Sequence, residues 1–267
     1  LFMNGRLIIL ERPAVSRYMA ISETVQETVA QGYPPTVFIS PGWERKGLSL
    51  GKNQRIDYVQ LDACHRDGLE VVRRHTDGYV IIHYPEDVTY GIAVPKAFVK
   101  SARYFDDRIF QVLVKSLERI GVENCHDPFP KKYGNVYAGD KKIVGSSQNR
   151  RKTAWLQHGI VAVKGHDSRD YARYTALQKE PEKIDMEMTS VEKEGKTADP
   201  AQVTSIMADE FRRQLPDWGI DLEMSSLSPE EQQFVEKLLA EKYQNSSWLQ
   251  VGEGRYDKSG RIACFTG

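Results

Sequence analysis

The sequence predicts an α/β protein in which helices flank a mixed β-sheet, with a small helical appendage at the C-terminal end. Extended and helical segments interleave along most of the 267 residues, which is typical of a sheet covered by helices. Around residues 168–200 the composition becomes charged and polar, and helical patterns follow it. We therefore predict a main domain over residues 1–195 and a helical appendage over residues 196–267.

Two long helices of the main domain have recognisable ends. Ser16 is suited to cap a helix that runs to about Ala30, before Gly32. A second helix is predicted to begin near Ser101 and to end at Gly121, a residue suited to a left-handed cap. The apolar residues of this second helix recur at helical spacing, at Phe105, Ile109, Leu113, Leu117 and Ile120.

The remaining segments of the main domain are mostly extended. The β-branched runs at 79–82 and 88–94 are predicted to form a strand pair, joined by the short polar connection at 85–87. A shorter helix is predicted at 57–67. Further strands are predicted at 36–40, 48–51, 69–72, 135–138, 142–146, 154–157 and 160–163.

Two helix-start signals lie in the predicted appendage. Asp199 followed by Pro200 is expected to open one helix. Ser228 followed by Glu231 forms a capping-box pattern, with Pro229 in the first turn, and is expected to open another.

Composition excludes several classes of function. Lysine plus arginine and aspartate plus glutamate both number 37, so no global field attracts nucleic acid or anionic lipid. No apolar run approaches the roughly 20 residues of a membrane span, and the first residues do not resemble a secretory signal. We therefore expect a cytoplasmic protein with no nucleic-acid or membrane partner. The three scattered cysteines, at 64, 125 and 264, predict neither a disulfide framework nor a metal site.

Cys125 is a candidate nucleophile. It follows the stop of the long helix and precedes two prolines, which favours an ordered loop that a substrate can reach. A neighbouring cation, His126 or Lys142, would lower the pKa of its thiol. The pattern alone favours the simpler interpretation, a small and partly buried residue without a role.

Lys142 is the second candidate for chemistry. It precedes Gly145, Ser146 and Ser147, where a glycine permits close backbone approach and hydroxyl groups offer hydrogen-bond donors to a carboxyl or thioester oxygen. Backbone amides near Gly145 are expected to hold an oxyanion. A solvated surface charge is the competing interpretation of a single lysine.

A polar turn and two histidines complete the candidate set. Arg73 and Arg74 join two predicted strands and are suited to an anion, while Gly78 gives the turn its freedom. A turn with surface arginines is the simpler explanation of the same pattern. His83 and His158 lie at strand ends, and hydrogen-bonded structural histidines are the more frequent case.

Eight motifs occur in order along the chain, at 18–21, 48–54, the turn at 73–78, 87–90, 142–148, 157–159, 227–231 and 241–248. Together they resemble the family of lipoate-protein ligases and octanoyltransferases, which is related to the biotin protein ligases. The resemblance implies the fold, an acyl tunnel beside the arginine-glycine turn and the lysine strand, and Lys142 as the residue that contacts the acyl carbonyl. It also implies substrate-binding roles for Arg73, Arg74, Thr76, Gly78, His83, Gly145, Ser146, Ser147, Gln157 and His158.

The family implies the reaction and its partners. An octanoyl or lipoyl group, derived from octanoate or lipoate, moves onto the ε-amino group of a lysine in a lipoyl domain or a glycine-cleavage H protein. One branch takes the acyl group from acyl carrier protein through a cysteine thioester and needs no cofactor. Cys125-His126-Asp127-Pro128 resembles the loop of that branch, with histidine where an aromatic residue is usual.

Two alternatives to the thioester route stay open. Ligases of the family activate lipoate with ATP and magnesium, and there Arg73, Arg74, Lys142 and the cluster at 150–152 would hold phosphates while Cys125 is idle. Asp77 stands where those ligases carry a glycine, and its carboxylate would repel an adenylate phosphate. The same departure is also compatible with a non-catalytic acyl-binding paralogue.

Overall fold

The computed structural model describes residues 3–126, 134–176 and 187–250. Within them the strands form an eight-stranded mixed sheet and a three-stranded sheet. This is the mixed sheet flanked by helices that the sequence predicts. In order across the large sheet, the strands are β11 (Ile220–Ser225), β1 (Met3–Ile9), β2 (Thr36–Ser40), β6 (Val88–Pro95), β10 (Ala154–Val161), β9 (Lys141–Arg150), β8 (Val136–Ala138) and β7 (Cys125–His126).

Helices cover both faces of the large sheet. The helices are α1 (Val15–Ala30), α2 (Leu61–Arg66), α3 (Ala102–Ile120), α4 (Arg169–Tyr174), α5 (Pro200–Gln214), α6 (Pro229–Leu238) and α7 (Ser246–Gln250). One face of the large sheet packs on α3 and α5, and the other packs on α1 and α6. The small sheet has its own core with the shorter helices, and the order of its strands is β4 (Glu70–Arg73), β3 (Gly47–Leu50) and β5 (Ile81–His83).

The predicted caps of the later helices are confirmed. Ser101 accepts a hydrogen bond from the amide of Tyr104 at the start of α3, and Gly121 ends this helix with a φ of 96°. Ser228 and Glu231 form both hydrogen bonds of a capping box at the start of α6. Each of these signals involves residues within one helical turn, so it can be recognised without knowledge of the tertiary structure.

Three secondary-structure predictions are wrong. The runs at 79–82 and 88–94 do not pair: β5 pairs with β3 in the small sheet, and β6 pairs with β2 and β10 in the large one. The segment at 57–67 is a 3-10 turn, Ile56–Tyr58, followed by the short α2. Ser16 does not cap α1: the helix begins at Val15 after Ala14, and the Glu70 carboxylate accepts the Val15 amide at 2.8 Å where no local side chain does.

The residues after 195 share the core of the residues before it. Strand β11 pairs in parallel with β1, and α5 packs on the same core cluster as α3. The boundary predicted at residue 195 therefore does not coincide with a break in the core. The sequence pattern missed β1 and β11 and divided β10 in two. The charged segment at 180–183 lies outside the described residues.

Candidate acyl-binding site

A cavity of about 720 Å³ lies where the small sheet meets the α1 side of the large sheet. Its wall combines apolar and aromatic side chains with a few polar groups, as is usual for small-molecule sites. The lining residues that carry the argument are Tyr18, Trp43, Arg74, Gly78, Tyr79, His83, Asn135, Lys142, Gly145, Ser146, Ser147 and His158. The wall therefore brings together eight of the predicted site residues: Arg74, Gly78, His83, Lys142, Gly145, Ser146, Ser147 and His158.

Arg74 shapes the turn that borders this cavity. Its guanidinium donates to the carbonyls of Ser49, Asp77 and Tyr79 at 2.7–3.2 Å, so the turn folds around a buried cation. Gly78 has a φ of 99°, and a Cβ there would lie 2.9 Å from the guanidinium. Glycine is therefore required both by the backbone conformation and by the space.

Arg73 points away from the cavity. Its side chain is 0 % exposed and donates to the carbonyls of Gly51, Lys52 and Gln54 on one side and of Trp248 and Leu249 on the other. Burial lowers the pKa of this guanidinium to about 10. Arg73 is therefore not among the residues of the cavity wall, and its role in substrate binding stays a prediction. Arg73 instead ties the C-terminal helix α7 to the back of the turn.

The Asp77 carboxylate closes the turn on itself. Oδ1 accepts the Gly78 amide at 3.0 Å, and Oδ2 accepts the Asn53 side-chain amide at 3.1 Å. A backbone amide that would otherwise be available to a phosphate is thereby occupied by an anionic oxygen. The Asp77 carboxylate thus lies in the turn that borders the cavity.

Lys142 reaches the cavity because of a β-bulge. Val136 lies opposite Val144 whereas Tyr137 lies opposite Lys142, so Ile143 is an additional residue on β9. Ile143 and Val144 both enter the core on the α3 side, and Lys142 is turned to the cavity together with Tyr137. A Cβ at Gly145 would lie 3.9 Å from the Lys142 Nζ, so this glycine keeps the space beside the amine open.

The two serines after Gly145 have different partners. Ser147 donates its hydroxyl to the Asp77 carbonyl and so joins β9 to the turn. The Ser146 hydroxyl lies 2.7 Å from the Tyr90 hydroxyl. The Ser146 amide donates to the Asn135 side-chain oxygen at 3.1 Å. This amide is therefore occupied, contrary to the expectation that amides near Gly145 hold an oxyanion.

His158 and Thr76 form the buried floor of the turn. The imidazole of His158 lies 2.8 Å from the Thr76 hydroxyl and 3.1 Å from the Ser22 hydroxyl. Burial, with the nearby cation Arg74 as a further cause, holds the pKa of His158 well below its usual value. His158 is therefore neutral at pH 7. Thr76 itself does not line the cavity, and it contacts His158, which does.

The cavity wall contains two residues whose buried polar atoms have no hydrogen-bond partner among the described residues, Trp43 with its Nε1 and His83 with its Nδ1. The two rings lie 4.3 Å apart, and the other nitrogen of His83 lies 2.8 Å from the Ser49 hydroxyl. Burial lowers the pKa of His83 well below its usual value. His83 is therefore a neutral part of the wall.

Gln157 lies outside the cavity wall. It is 0 % exposed, accepts from the Gln148 side chain at 2.6 Å and donates to the Tyr90 hydroxyl at 2.8 Å. Gln157 is therefore not among the residues of the cavity wall, and its role in substrate binding stays a prediction.

Cys125 lies on the opposite side of the sheet edge from Lys142. It pairs with Ala138, and the next residue of β8, Tyr137, pairs with Lys142. Because successive strand residues face opposite sides, the thiol faces the core under α3, with its sulfur 3.9 Å from the Val122 carbonyl. Burial raises the pKa of the thiol to about 11. The predicted neighbourhood of sulfur and ammonium is therefore wrong for this conformation, while the catalytic role of Cys125 stays a prediction.

The described parts of the chain contain neither a cluster of metal-ligating side chains nor a membrane-spanning helix. Among residues 3–126, 134–176 and 187–250, no three His, Cys, Asp or Glu side chains are grouped to hold a metal ion. Over the same ranges, no helix combines the length and the apolar character needed to cross a bilayer. Cys64 is buried with a pKa raised to about 11 by that burial. Cys264 lies outside the described residues.

The sequence model of the lipoyl protein ligase A/B catalytic domain matches residues 15–212. The chain belongs to this family. The resemblance seen in the motifs is thereby confirmed, and the matched region ends inside α5, which shares the core of the main sheet.

Relatives of the lipoyl protein ligase A/B family extend the match toward the C-terminal end. The chain is 28 % identical over 264 residues to "Octanoyltransferase LipM" of Geobacillus kaustophilus (strain HTA426), a match that covers 86 % of this chain and 92 % of that protein. It is 26 % identical over 260 residues to the protein of the same name from Staphylococcus aureus (strain NCTC 8325 / PS 47), with the same two coverages.

Solved structures of family members share the fold. A lipoate-protein ligase A bound with ATP superposes with a TM-score of 0.81 at 20 % identity, covering 93 % of this chain and 99 % of that one. The bi-partite lipoate protein ligase of Thermoplasma acidophilum, described with its E2 lipoyl domain, gives the same score and identity over 96 % of this chain and 99 % of that one.

The motif analysis missed several residues that line the cavity of this family member. Tyr18, Trp43, Tyr79 and Asn135 all contribute to its wall. Tyr18 and Trp43 meet edge-on with ring centroids 5.0 Å apart, although they lie on α1 and on the loop before β3. Aromatic residues outside a charged motif look like ordinary core in a sequence. The one usable signal was the motif at 18–21, which was assigned to the family without a site.

Proposed function

We propose that this protein transfers an octanoyl or lipoyl group to the ε-amino group of a lysine in a lipoyl domain or a glycine-cleavage H protein. The observation that carries the proposal is a cavity whose wall combines apolar and aromatic side chains, Tyr18 and Trp43 among them, with Lys142. An alkyl chain gains from leaving water against the apolar part of this wall. The ammonium is then placed to polarise the acyl carbonyl.

The names of the relatives favour a transferase over a ligase. Two relatives that cover most of the chain are called octanoyltransferases, and Asp77 occupies the Gly78 amide with an anionic oxygen. Arg150 and Arg151, which would have to hold nucleotide phosphates, are paired with Asp106 and Glu27. An acylated carrier protein is therefore the proposed donor, and the reaction then needs no ATP or metal ion.

The proposed route has two thioester-level steps. The Cys125 thiolate attacks the donor thioester, a new carbon–sulfur bond forms, and the carrier thiol leaves with the proton that Cys125 gave up. The neutral acceptor lysine then attacks the acyl-enzyme, an amide forms, and the Cys125 sulfur leaves as the thiol after taking the proton of the amine. Lys142 polarises the carbonyl in the second step.

This route requires β7 to separate from β8, because Cys125 faces away from the cavity in the present conformation. The pairing to be broken is small, since β7 contains 2 residues. Asn124, immediately before Cys125, has a φ of 54°, a conformation that asparagine tolerates better than most residues. The proposal therefore includes a rearrangement at this edge before the first step.

An ATP-dependent lipoate ligase is the second candidate, and the position of Cys125 favours it. A route without Cys125 needs no rearrangement, and a structural neighbour of this chain is a ligase bound with ATP. In that route Arg74 and Lys142 would face the adenylate.

One assay separates the candidates. Apo-acceptor is incubated with the protein and either octanoyl-carrier protein alone or lipoate with ATP and magnesium, and the acceptor mass is followed. We expect modification from the carrier without nucleotide, and its loss in Cys125→Ser. Modification that depends on ATP and persists in Cys125→Ser would favour the ligase. Acyl binding without modification in either mixture would indicate a non-catalytic acyl-binding protein.

A further inference from the structure

Residues 239–250, called the C-terminal segment below, lie against the side of the turn at 73–78 that faces away from the cavity. Residues Leu239–Tyr243 extend α6 by one π-helical turn, and α7 follows. The segment contains the motif at 241–248, all of it described by the structure, and no residue of this motif lines the cavity. The motif therefore needs a role other than contact with the acyl group.

The C-terminal segment contacts the turn at Arg73 and at His75. The Trp248 indole donates to the Arg73 carbonyl at 2.8 Å. The Tyr243 hydroxyl lies 3.2 Å from the Nδ1 of His75. The segment thus holds both neighbours of Arg74, the arginine that lines the cavity.

The chemistry of Glu23 fixes the direction of the hydrogen bond between Tyr243 and His75. The Glu23 carboxylate is an acceptor, and the Tyr243 hydroxyl donates to it at 2.6 Å. Burial, together with this carboxylate, holds the pKa of Tyr243 well above its usual value, so the hydroxyl keeps its proton. The Tyr243 oxygen therefore accepts from His75, which carries its proton on Nδ1.

Tyr243 is the polar contact that orients the His75 ring. The other ring nitrogen, Nε2, is buried and has no hydrogen-bond partner among the described residues. Burial, with the cation Lys242 as the next cause, holds the pKa of His75 well below its usual value, so the ring is neutral at pH 7. Without the Tyr243 hydroxyl the buried Nδ1 proton has no acceptor, and this cost favours a different rotamer of the ring.

The position of Tyr243 is itself fixed by charged groups on α1. The Lys242 Nζ lies 2.8 Å from both carboxylate oxygens of Glu23 and 4.2 Å from the centroid of the Trp248 ring. Arg151 adds a second cation 3.5 Å from the same carboxylate. Glu23 is buried, so salt screens these contacts little. The C-terminal segment is therefore attached to α1, which packs on the large sheet.

The turn connects His75 to the cavity wall. The His75 carbonyl accepts from the Asn149 side chain at 2.8 Å, and the hydroxyl of the next residue, Thr76, lies 2.8 Å from the Nε2 of His158. His158 lines the cavity, and so does Gly78, three residues after His75. Because these residues belong to one short turn or contact it directly, a displacement of His75 moves the wall.

We propose that the C-terminal segment positions the turn at 73–78 for acyl binding, with Tyr243 as a positioning residue that acts through His75. The inference rests on the proposed function, because the acyl group is bound in the cavity that this turn borders. A turn released from the segment spends part of its time in conformations that do not bind the acyl chain. The apparent Kd then rises by the reciprocal of the competent fraction.

Removal of the Tyr243 hydroxyl tests this role. We expect Tyr243→Phe to weaken the binding of octanamide about 10-fold, measured by calorimetry, while the packing of the ring is kept. Tyr174→Phe is the matched control, since that hydroxyl also donates to a carboxylate, Asp67 at 2.8 Å, and its loss should leave the affinity unchanged. Equal affinities of Tyr243→Phe and the parent protein would overturn the coupling to acyl binding.

Coupling between variants separates this role from a general loss of stability. Because Tyr243 acts through His75, the double variant Tyr243→Phe/His75→Leu should bind octanamide no more weakly than His75→Leu alone. His75→Asn keeps a donor near the position of Nδ1 and should restore most of the affinity that His75→Leu loses. Multiplying losses in the double variant would overturn the assignment.

Hydrogen exchange of the ligand-free protein tests the inference even if no acyl transfer is found. The Lys52 amide donates to the Thr76 carbonyl at 2.8 Å, and the Arg74 amide donates to the Leu50 carbonyl at 3.0 Å, so both amides report on opening of the turn. We expect both to exchange about 10-fold faster in Tyr243→Phe, with the amides of α3 unchanged.

The exchange result also separates this inference from the proposed function. A protein that shows the expected pattern but transfers no octanoyl group would reject the proposed function and keep the role of the C-terminal segment. Turn amides that exchange as in the parent protein, or an acceleration that extends equally to α3, would overturn the inference whatever the activity.

Discussion

The cavity side and the reverse side of the sheets separate residues that the sequence predicts to lie together in one site. Arg74 and Lys142 face the cavity, whereas Arg73 holds the C-terminal helix and Cys125 faces the core under α3. The difference shows that a motif gives the residue types of a site but not the side of the sheet to which each side chain points. That side follows from strand alternation and from one bulge.

Replacement of Lys142 is the strongest test of the cavity side. Lys142→Ala removes the cation beside Gly145, and we expect kcat/KM for acceptor modification to fall about 1000-fold. Lys141→Ala is the matched control, because Lys141 is exposed and does not line the cavity. Equal losses in the two variants, measured by acceptor mass against time, would show that charge at this edge matters without a specific site.

Close packing behind the lysine strand gives the next largest effect. A Cβ at Gly159 would lie 2.5 Å from the Gly145 carbonyl and 2.9 Å from the Ser146 hydroxyl. We expect Gly159→Ala to displace the cavity wall and to slow transfer about 100-fold. In the control Gly165→Ala the new Cβ meets the flexible end of Lys193 at 3.3 Å. Parent-like kinetics of Gly159→Ala would mean that the wall adapts to the added methyl group.

Replacement of Arg73, on the side of the turn away from the cavity, is expected to lower the stability of the protein. Arg73→Met leaves buried carbonyl groups without their donor, and we expect the free energy of unfolding to fall by about 3 kcal/mol. Urea unfolding measures this, with Arg66→Met on the exposed face of α2 as the control, where a change within about 0.5 kcal/mol is expected. A fully stable Arg73→Met protein would contradict the structural role assigned to this arginine.

The smallest expected effect concerns the reactivity of the Cys125 thiol in the present conformation. The pKa of Cys125 is raised to about 11 by burial, so its alkylation rate should keep rising with pH well beyond pH 8.5. In a Cys64→Ser/Cys264→Ser background, Lys142→Ala should leave this profile unchanged, because the ammonium lies on the other side of the edge. A midpoint below about 8.5 that rises in Lys142→Ala would place the two groups together.

The sequence was sufficient for features that depend on local chemistry. Family, fold class, the caps at Ser101, Gly121 and Ser228, and the lysine of the cavity all followed from short patterns. Such patterns act within a few residues, so no tertiary information is needed to recognise them.

What the sequence could not supply depends on distant partners. The contacts between Arg73 and Trp248 join residues 175 positions apart, and the alternation of β9 changes at Ile143 through a bulge that leaves no marker in the residue types. Gln157 could be placed in a motif, but its hydrogen bond to Tyr90 becomes visible only when β6 and β10 lie side by side.

The most direct test of the account is a crystal structure of the protein with a bound octanoyl amide. We expect its alkyl chain against Tyr18 and Trp43, and its carbonyl oxygen within about 3.2 Å of the Lys142 Nζ. Density for the ligand on the α3 side of the sheet edge, or a carbonyl directed away from Lys142, would contradict the account.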